Sequence, residues 1–407
     1  MKKRALVVGL GIAGMAAAIG LAKAGWMPVV IERSPERRTG GYFVGLFPEG
    51  RRAAVELGIA DHLHIRNPER KPEGNTWSID RRGRRAPGLG FLDQPGDPAA
   101  VLRGDIEAAL WHGISAHAVE VRFGTTVTDI RDAHGAVETV LENSATGARS
   151  HEEFDLVVGA DGMRSSVRRI VFGPHEDHLK NWDAMICAFR MTRQVPSFGA
   201  SDSIIDAQPR RAAWVFGFAD HPPTALLTYR TRDVEQQFAG SHIDQLRHVF
   251  SGMNGPVVTH VLDELDAAPE ILFDSVHQVR MPRWSAGRVV LVGDAAWCLN
   301  LYSGMGASSA LRGGAALGSA LHEHPDDLTA GLDAWEAGLR PFITAHRRTA
   351  RIKQQLFVPS GPGAAVVRSG ALRMVRAIRQ RQVGNDGSFS HAPGLRHVRK
   401  APADAGK

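Results

Sequence analysis

The sequence predicts an α/β protein: a Rossmann-like nucleotide-binding domain with an inserted, mainly antiparallel β-sheet and C-terminal helices. Three observations predict it. The chain opens on a strand, glycine turn, helix and strand over residues 4–33. Residues 181–280 then hold several β-like runs without regularly alternating helices. From Gly287 to Asp294 a buried strand ending in glycine and acid returns to the first pattern.

Ala5 to Val8 read as a short buried strand, and Gly9, Gly11 and Gly14 follow at G-x-G-x-x-G spacing. One glycine makes the tight turn, one lets backbone approach a pyrophosphate, and one lets helix and strand touch. The Ala-rich helix Met15 to Ala24 presents free N–H groups and a positive dipole end to phosphates. Met27 to Ile31 form the second strand, and Glu32 ends it where a carboxylate can accept from a ribose. The basic start and Ala22-Lys23-Ala24 imitate a secretory leader, but glycines at 9, 11, 14 and 20 make a poor apolar helix.

Arg33 to Gly41 is turn-rich, and helical spacing resumes from Pro48 to Leu63. Trp77 to Arg82 suit a strand, 84–98 an irregular surface segment, and Val101 to about His112 a helix. Val119 to Ile130 and Val137 to Leu141 suit paired strands. A further strand ends at Asp161-Gly162 and leads into a helix. In the inserted region the strand candidates are 184–191, 203–206, 212–218, 225–231 and 270–279, with helices at 234–253 and 257–265. A glycine loop, Ser303 to Ala307, precedes the helix Ser308 to Leu321. The last long helix, 328–355, should kink or break at Pro341. The expected organisation is a discontinuous nucleotide domain (1–72, 99–180, 281–325) and a sheet domain (73–98, 181–280). A helical segment (326–358) and a basic, partly disordered tail (359–407) follow.

Composition narrows the class. With 407 residues, 43% of them hydrophobic and 23% charged, the chain has the proportions of an ordinary soluble protein. No apolar run reaches the roughly 18–20 residues of a membrane helix. Cys187 and Cys298 are too few for a disulfide framework, so a reducing cytoplasm is expected. The net charge of +6 is local: residues 361–407 hold nine Arg or Lys against Asp386 and Asp404. The basic tail is read as solvated, so no nucleic-acid or membrane partner is expected, and the protein should be a monomer or homodimer.

Three strand ends carrying glycine plus acid, at Glu32, Asp161-Gly162 and Gly293-Asp294, could meet on one cofactor. With Arg38-Thr-Gly-Gly41, Leu102-Arg103-Gly-Asp and Gly159-Ala-Asp161-Gly162-x-Arg164-Ser, the chain resembles the FAD-dependent aromatic hydroxylases. These are the para-hydroxybenzoate hydroxylase-like group A flavoprotein monooxygenases, and the nearest likeness is to their tetracycline-inactivating and antibiotic-tailoring branch. The resemblance covers residues 4–355.

It implies roles position by position. Gly9, Gly11, Ile12, Ala13 and Gly14 would hold the FAD pyrophosphate, Glu32 the ribose, and Arg33 would flank the adenine. Arg38, Arg103 and Val127 would be further cofactor contacts, and Asp161 a contact to both FAD and NAD(P)H. Asp294 would hold the ribityl–pyrophosphate region, with Gly304, Gly306 and Ala307 near the isoalloxazine. The implied reaction consumes NAD(P)H and inserts one atom of O2, through a C4a-hydroperoxyflavin, into an aromatic, phenolic or polyketide-like molecule. The flavin carries the chemistry, so no catalytic side chain and no metal is expected. Tyr42, Phe189, Trp214, Phe216 and Tyr302 are the substrate-binding candidates, with Tyr229 as a further aromatic on the inserted strands.

The chain departs from the family pattern at three places. Trp297 stands where His or an aromatic residue is often found, Leu301 where Pro is usual, and Gly313 where the following helix has an acid. These leave open a flavin reductase or oxidase on the same scaffold, or a non-catalytic flavoprotein that binds a reactive intermediate.

Overall fold

The strand Arg4–Val8 organises the first sheet of the computed structural model, which describes residues 2–374 apart from 38, 39, 67–74, 81, 91, 92, 95, 134 and 373. Six strands lie in the order Ser285–Ala286, Val289–Leu291, Leu156–Gly159, Arg4–Val8, Met27–Ile31 and Glu120–Arg122. All neighbours are parallel except the first pair. Val8 lies beside Gly159, and Gly159 beside Leu291. Parallel register therefore brings Gly9, Asp161 and Asp294 to one edge of the sheet, although long stretches of chain separate them. In open parallel sheets that carboxyl edge is where ligands bind.

The helix Ile12–Lys23 starts three residues earlier than its periodicity predicts, directly at the glycine turn. It lies against the helix Gly306–Glu323 with backbone touching backbone. A Cβ on Gly20 would sit 2.6 Å from the Gly314 carbonyl oxygen, and one on Gly318 would sit 2.3 Å from that of Gly20. Small residues on both helices thus set the spacing between the two glycine loops that precede them.

The second sheet has seven strands, Ile271–Val279, Leu179–Arg190, Thr224–Arg230, Arg211–Phe216, Ser203–Gln208, Thr76–Ile79 and Arg85–Pro87, in that order. Its neighbours are antiparallel except Ser203–Gln208 with Thr76–Ile79. One face joins the main core through Ala188, Trp214, Phe216 and Leu226. The other face forms a second core with the helices His242–Phe250 and Pro256–Asp266.

Several expectations change in detail. Residues 119–130 divide between two sheets, because Glu120–Arg122 pairs with Met27–Ile31 while Thr125–Ala133 pairs with Ala136–Asn143. Residues 99–102 are a strand paired with Phe43–Leu46, and the helix begins at Arg103, where Asp105 accepts from the Leu102 N–H. The helix expected over 234–253 is a 3-10 turn, Glu235–Phe238, and a helix, His242–Phe250. Gly240 with φ of 82° interrupts it, and Ser241 caps the second part. Pro341 does not break the helix Leu328–Phe357. Buried Leu332, Trp335, Leu339 and Ile343 anchor it on both sides of the proline, which offsets the missing hydrogen bond. Residues 362–372, expected in the tail, are helical.

Candidate functional site

A cavity of about 610 Å³ opens at the carboxyl edge of the parallel sheet and extends along the inner face of the seven-stranded sheet. Gly9, Gly11, Ile12, Ala13, Glu32, Arg33, Arg103, Val127, Asp161, Asp294, Gly304, Gly306 and Ala307 all line it.

The three N-terminal glycines divide the work as their geometry dictates. Gly9 has φ of 108°, and a Cβ there would meet the Ala160 carbonyl oxygen at 2.7 Å. A Cβ on Gly14 would lie 1.9 Å from the Gly9 carbonyl oxygen, so Gly14 holds the helix against the loop and does not reach the cavity. A Cβ on Gly11 would meet nothing within 4 Å. Gly11 is also the N-cap residue and caps no N–H with a side chain, so the helix N-terminus is open to an anion. Glu32 braces this loop: Oε2 accepts from the Leu10 N–H at 2.9 Å, and Oε1 from the Ser34 N–H at 3.0 Å.

Asp161 follows the adjacent strand. Its Oδ2 accepts from the N–H groups of Ser166 (2.6 Å) and Val167 (3.2 Å), while its Oδ1 is buried without a hydrogen-bond partner. Burial raises its pKa, against the hydrogen bonds that favour the carboxylate. Protein surrounds Asp294 closely, yet the residue is exposed where it lines the cavity. Burial raises its pKa too, and Arg103 opposes the rise. Burial would lower the pKa of Arg103, but Glu107, Tyr42 and Asp294 together hold it above the usual arginine value. Arg103 Nε donates to Glu107 Oε1 at 3.0 Å, so the helix carrying the arginine also aims it. Tyr42 completes this group, its hydroxyl pKa raised by burial.

The loop from Asn300 to Ser303 is built on strain and on internal hydrogen bonds. Asn300 has φ of 62°, and its side chain accepts from the Tyr302 N–H at 3.0 Å. Lys353 Nζ donates to the Ser303 carbonyl at 2.9 Å from the last long helix. Leu301 lines the cavity. Trp297 is fully buried beside Trp284 (ring centroids 4.7 Å apart) and Trp335 (6.0 Å).

The substrate candidates separate by strand face. Phe216 and Tyr42 line the cavity, and Phe216 stacks on Phe43 with centroids 4.1 Å apart. Phe189 and Tyr229 lie in the second core, away from the cavity. On the same strand as Phe189, it is Ile186 and Ala188 that reach the cavity, because alternate residues face opposite sides. Trp214 is on the inner face but deeper, stacked on Phe357 at 4.4 Å. Tyr302 is fully buried, and its hydroxyl pairs with Thr228 Oγ1 at 3.1 Å. Arg38 lies outside the described residues.

Sequence reasoning missed the polar end of the strand Ile271–Val279. Arg164 holds Asp274 with both terminal nitrogens, at 3.1 and 2.8 Å, and Ser275 Oγ joins His277 Nδ1 at 3.1 Å. All four residues line the cavity, as does Phe357 from the end of the last long helix. Polar residues within a β run were the available signal for the first group. Nothing local marked Phe357.

A family model described as FAD binding domain matches residues 2–216. An uncharacterized protein of Mycobacterium tuberculosis, Rv1260, is 30% identical over 362 residues, covering 84% of this chain and 91% of that one. An FAD-dependent monooxygenase of Sarocladium schorii is 27% identical over 385 residues, covering 88% and 89%. The solved structure of tetracycline destructase Tet(55) shares the fold, with a TM-score of 0.74 at 23% identity, covering 92% of this chain and 96% of that one. The chain belongs to the FAD-dependent aromatic hydroxylases and is an FAD-dependent monooxygenase. The residues present fit FAD: the space beside Gly11 is open, the helix N-terminus carries no side-chain cap, and Asp161 Oδ1 is buried without a partner.

Proposed function

We propose that this enzyme consumes NAD(P)H and inserts one oxygen atom of O2 into an aromatic, phenolic or polyketide-like small molecule. One observation carries the reading: the N-terminal glycine turn and an apolar wall line a single cavity. Gly9 to Ala13, Glu32 and Arg33 lie at one end, and Ile186, Ala188, Phe216, Leu226, Leu272 and Val276 form a wall supplied by the inserted sheet. Cofactor and substrate would then share one space.

FAD held in this cavity would supply the redox chemistry that activates O2, with NAD(P)H as the electron source. This chain's own residues bind, orient and exclude water. The amides of Gly11 to Ala13 and the helix dipole would hold the pyrophosphate, Glu32 the ribose, and Arg33 the adenine side. Arg103, held by Glu107, would place a fixed positive charge near Asp294 and the flavin half of the cofactor. The loop from Gly304 to Ala307 would present backbone to the isoalloxazine. The stacked pair Phe43 and Phe216 would offer a flat apolar surface to a flat substrate, with water largely kept out.

The test is turnover under labelled oxygen gas, with NAD(P)H oxidation and peroxide release followed against a panel of phenols and polyketides. Label in the product, with oxidation accelerated by that substrate, supports the reading. Substrate-independent oxidation that yields only peroxide would place the enzyme among oxidases or reductases instead.

A further inference from the structure

Residues 337–385 contain ten arginines and lysines and no aspartate or glutamate. All 43 acidic residues therefore lie elsewhere, with 39 of the 49 basic ones. The described part of this stretch also carries apolar side chains on its outer side. Arg348, Ile352 and Leu356 recur every four residues along the helix Leu328–Phe357 and are all exposed, Ile352 at 69%. In the helical stretch 362–372 the usual arrangement is inverted. Val366 and Val367 are 72% and 71% exposed, whereas Arg368 is buried and its Nε donates to the Leu356 carbonyl at 2.6 Å. Met374, seven residues past Val367 and so on its face, is 64% exposed. Arg368 thus ties this second helical stretch to the end of the first.

We propose that this face is a docking surface for an anionic phospholipid membrane, on which the enzyme lies peripherally. Exposed Arg348 and Arg351 beside the outward Ile352, on a stretch whose sequence has no carboxylate, match the negative headgroups and apolar boundary of such a surface. None of the described helices is long and apolar enough to cross a bilayer, so the contact is interfacial. A second copy of the chain fits less well, because it would set cations against cations. A nucleic acid would use the arginines but would leave the outward Val366, Val367 and Ile352 without a partner.

The test uses the full-length, FAD-loaded protein and vesicles of phosphatidylcholine alone or mixed with phosphatidylserine. Sedimentation with the mixed vesicles only, weakening as salt is raised, is the expected result. The double variant V366D/V367D should bind about tenfold more weakly or worse, with its FAD absorbance and its NAD(P)H oxidation unchanged. Absence of binding to mixed vesicles at low salt would overturn the proposal. Binding that survives the double variant would too. So would a stable dimer that V366D/V367D converts to monomer, or DNA binding that outcompetes the vesicles. The outcome is independent of which substrate the active site takes, so the two readings fail separately.

Discussion

Trp297 occupies the space that a side chain at Gly313 would need: a Cβ there would lie 2.8 Å from both Cζ2 and Cη2 of the indole. Two departures from the family pattern, sixteen residues apart, are therefore sterically linked. The indole cannot retreat, because Trp284 and Trp335 stand against it and its Nε1 donates to Ser309 Oγ at 3.2 Å. Trp335 closes the arrangement by donating Nε1–H to the Gly313 carbonyl at 3.0 Å. The absence of an acid at 313 follows from packing.

Gly313→Ala should cost about 1–3 kcal/mol through overpacking against a rigid ring. In a Trp297→His background the same substitution should cost much less, since the space is then vacant. Denaturant unfolding of the four proteins of this cycle measures the coupling. Equal costs in both backgrounds would refute the steric link.

The glycines of the first turn should respond in opposite ways. Gly14→Ala forces a Cβ to within 1.9 Å of the Gly9 carbonyl oxygen, so the apoprotein should lose at least about 1–3 kcal/mol of stability and purify largely without FAD. Gly11→Ala meets no protein atom within 4 Å, so apoprotein stability should fall by less than about 1 kcal/mol while FAD affinity drops at least about tenfold. Unfolding midpoints and FAD release by fluorescence separate the two. A Gly11→Ala protein that keeps normal FAD affinity would show that the cofactor does not approach there.

Glu264 gives the second core an acid-dependent component. Its buried carboxylate accepts from Thr192 Oγ1 at 2.7 Å and the Arg193 N–H at 3.0 Å, and it also pairs with the Arg193 guanidinium. Burial acts to raise its pKa, but those partners outweigh burial and pull it from 4.5 down to about 2. A depressed folded-state pKa stabilises the protein above the unfolded value, and that stability is lost as pH falls from about 4.5 towards about 2. Glu264→Gln should cost on the order of 2 kcal/mol at neutral pH, with the gap to the parent closing across that window. Thermal unfolding from pH 7 to 3 checks it, and a pH-independent gap would contradict it.

Phe216 and Phe189 test the two faces of the inserted sheet. Phe216→Ala removes the partner of Phe43 from the cavity wall, so KM for the substrate and peroxide release should both rise. Phe189→Ala empties a site in the second core, so stability should fall by about 3–5 kcal/mol with KM unchanged in the folded fraction. Steady-state kinetics beside unfolding curves distinguishes the pair. A KM effect confined to Phe189→Ala would reverse the assignment of faces.

The sequence by itself determined the opening unit. Glycine spacing, alanine content and apolar runs act over a few residues, so Met27–Ile31 matched its predicted bounds and the glycine turn fell at the helix start. It also marked Asp161 and Asp294 as acids after buried strands. Only the tertiary structure decided that they converge, because parallel pairing of Arg4–Val8 with Leu156–Gly159, and of that strand with Val289–Leu291, is non-local. The same limit explains the apolar wall of the cavity. A two-residue period says that Phe189 and Ala188 face opposite ways, but not which face lines the cavity. That choice rests on which neighbours cover the sheet, as does the fit of Trp297 over Gly313, where a glycine is defined by a ring that only folding brings to it.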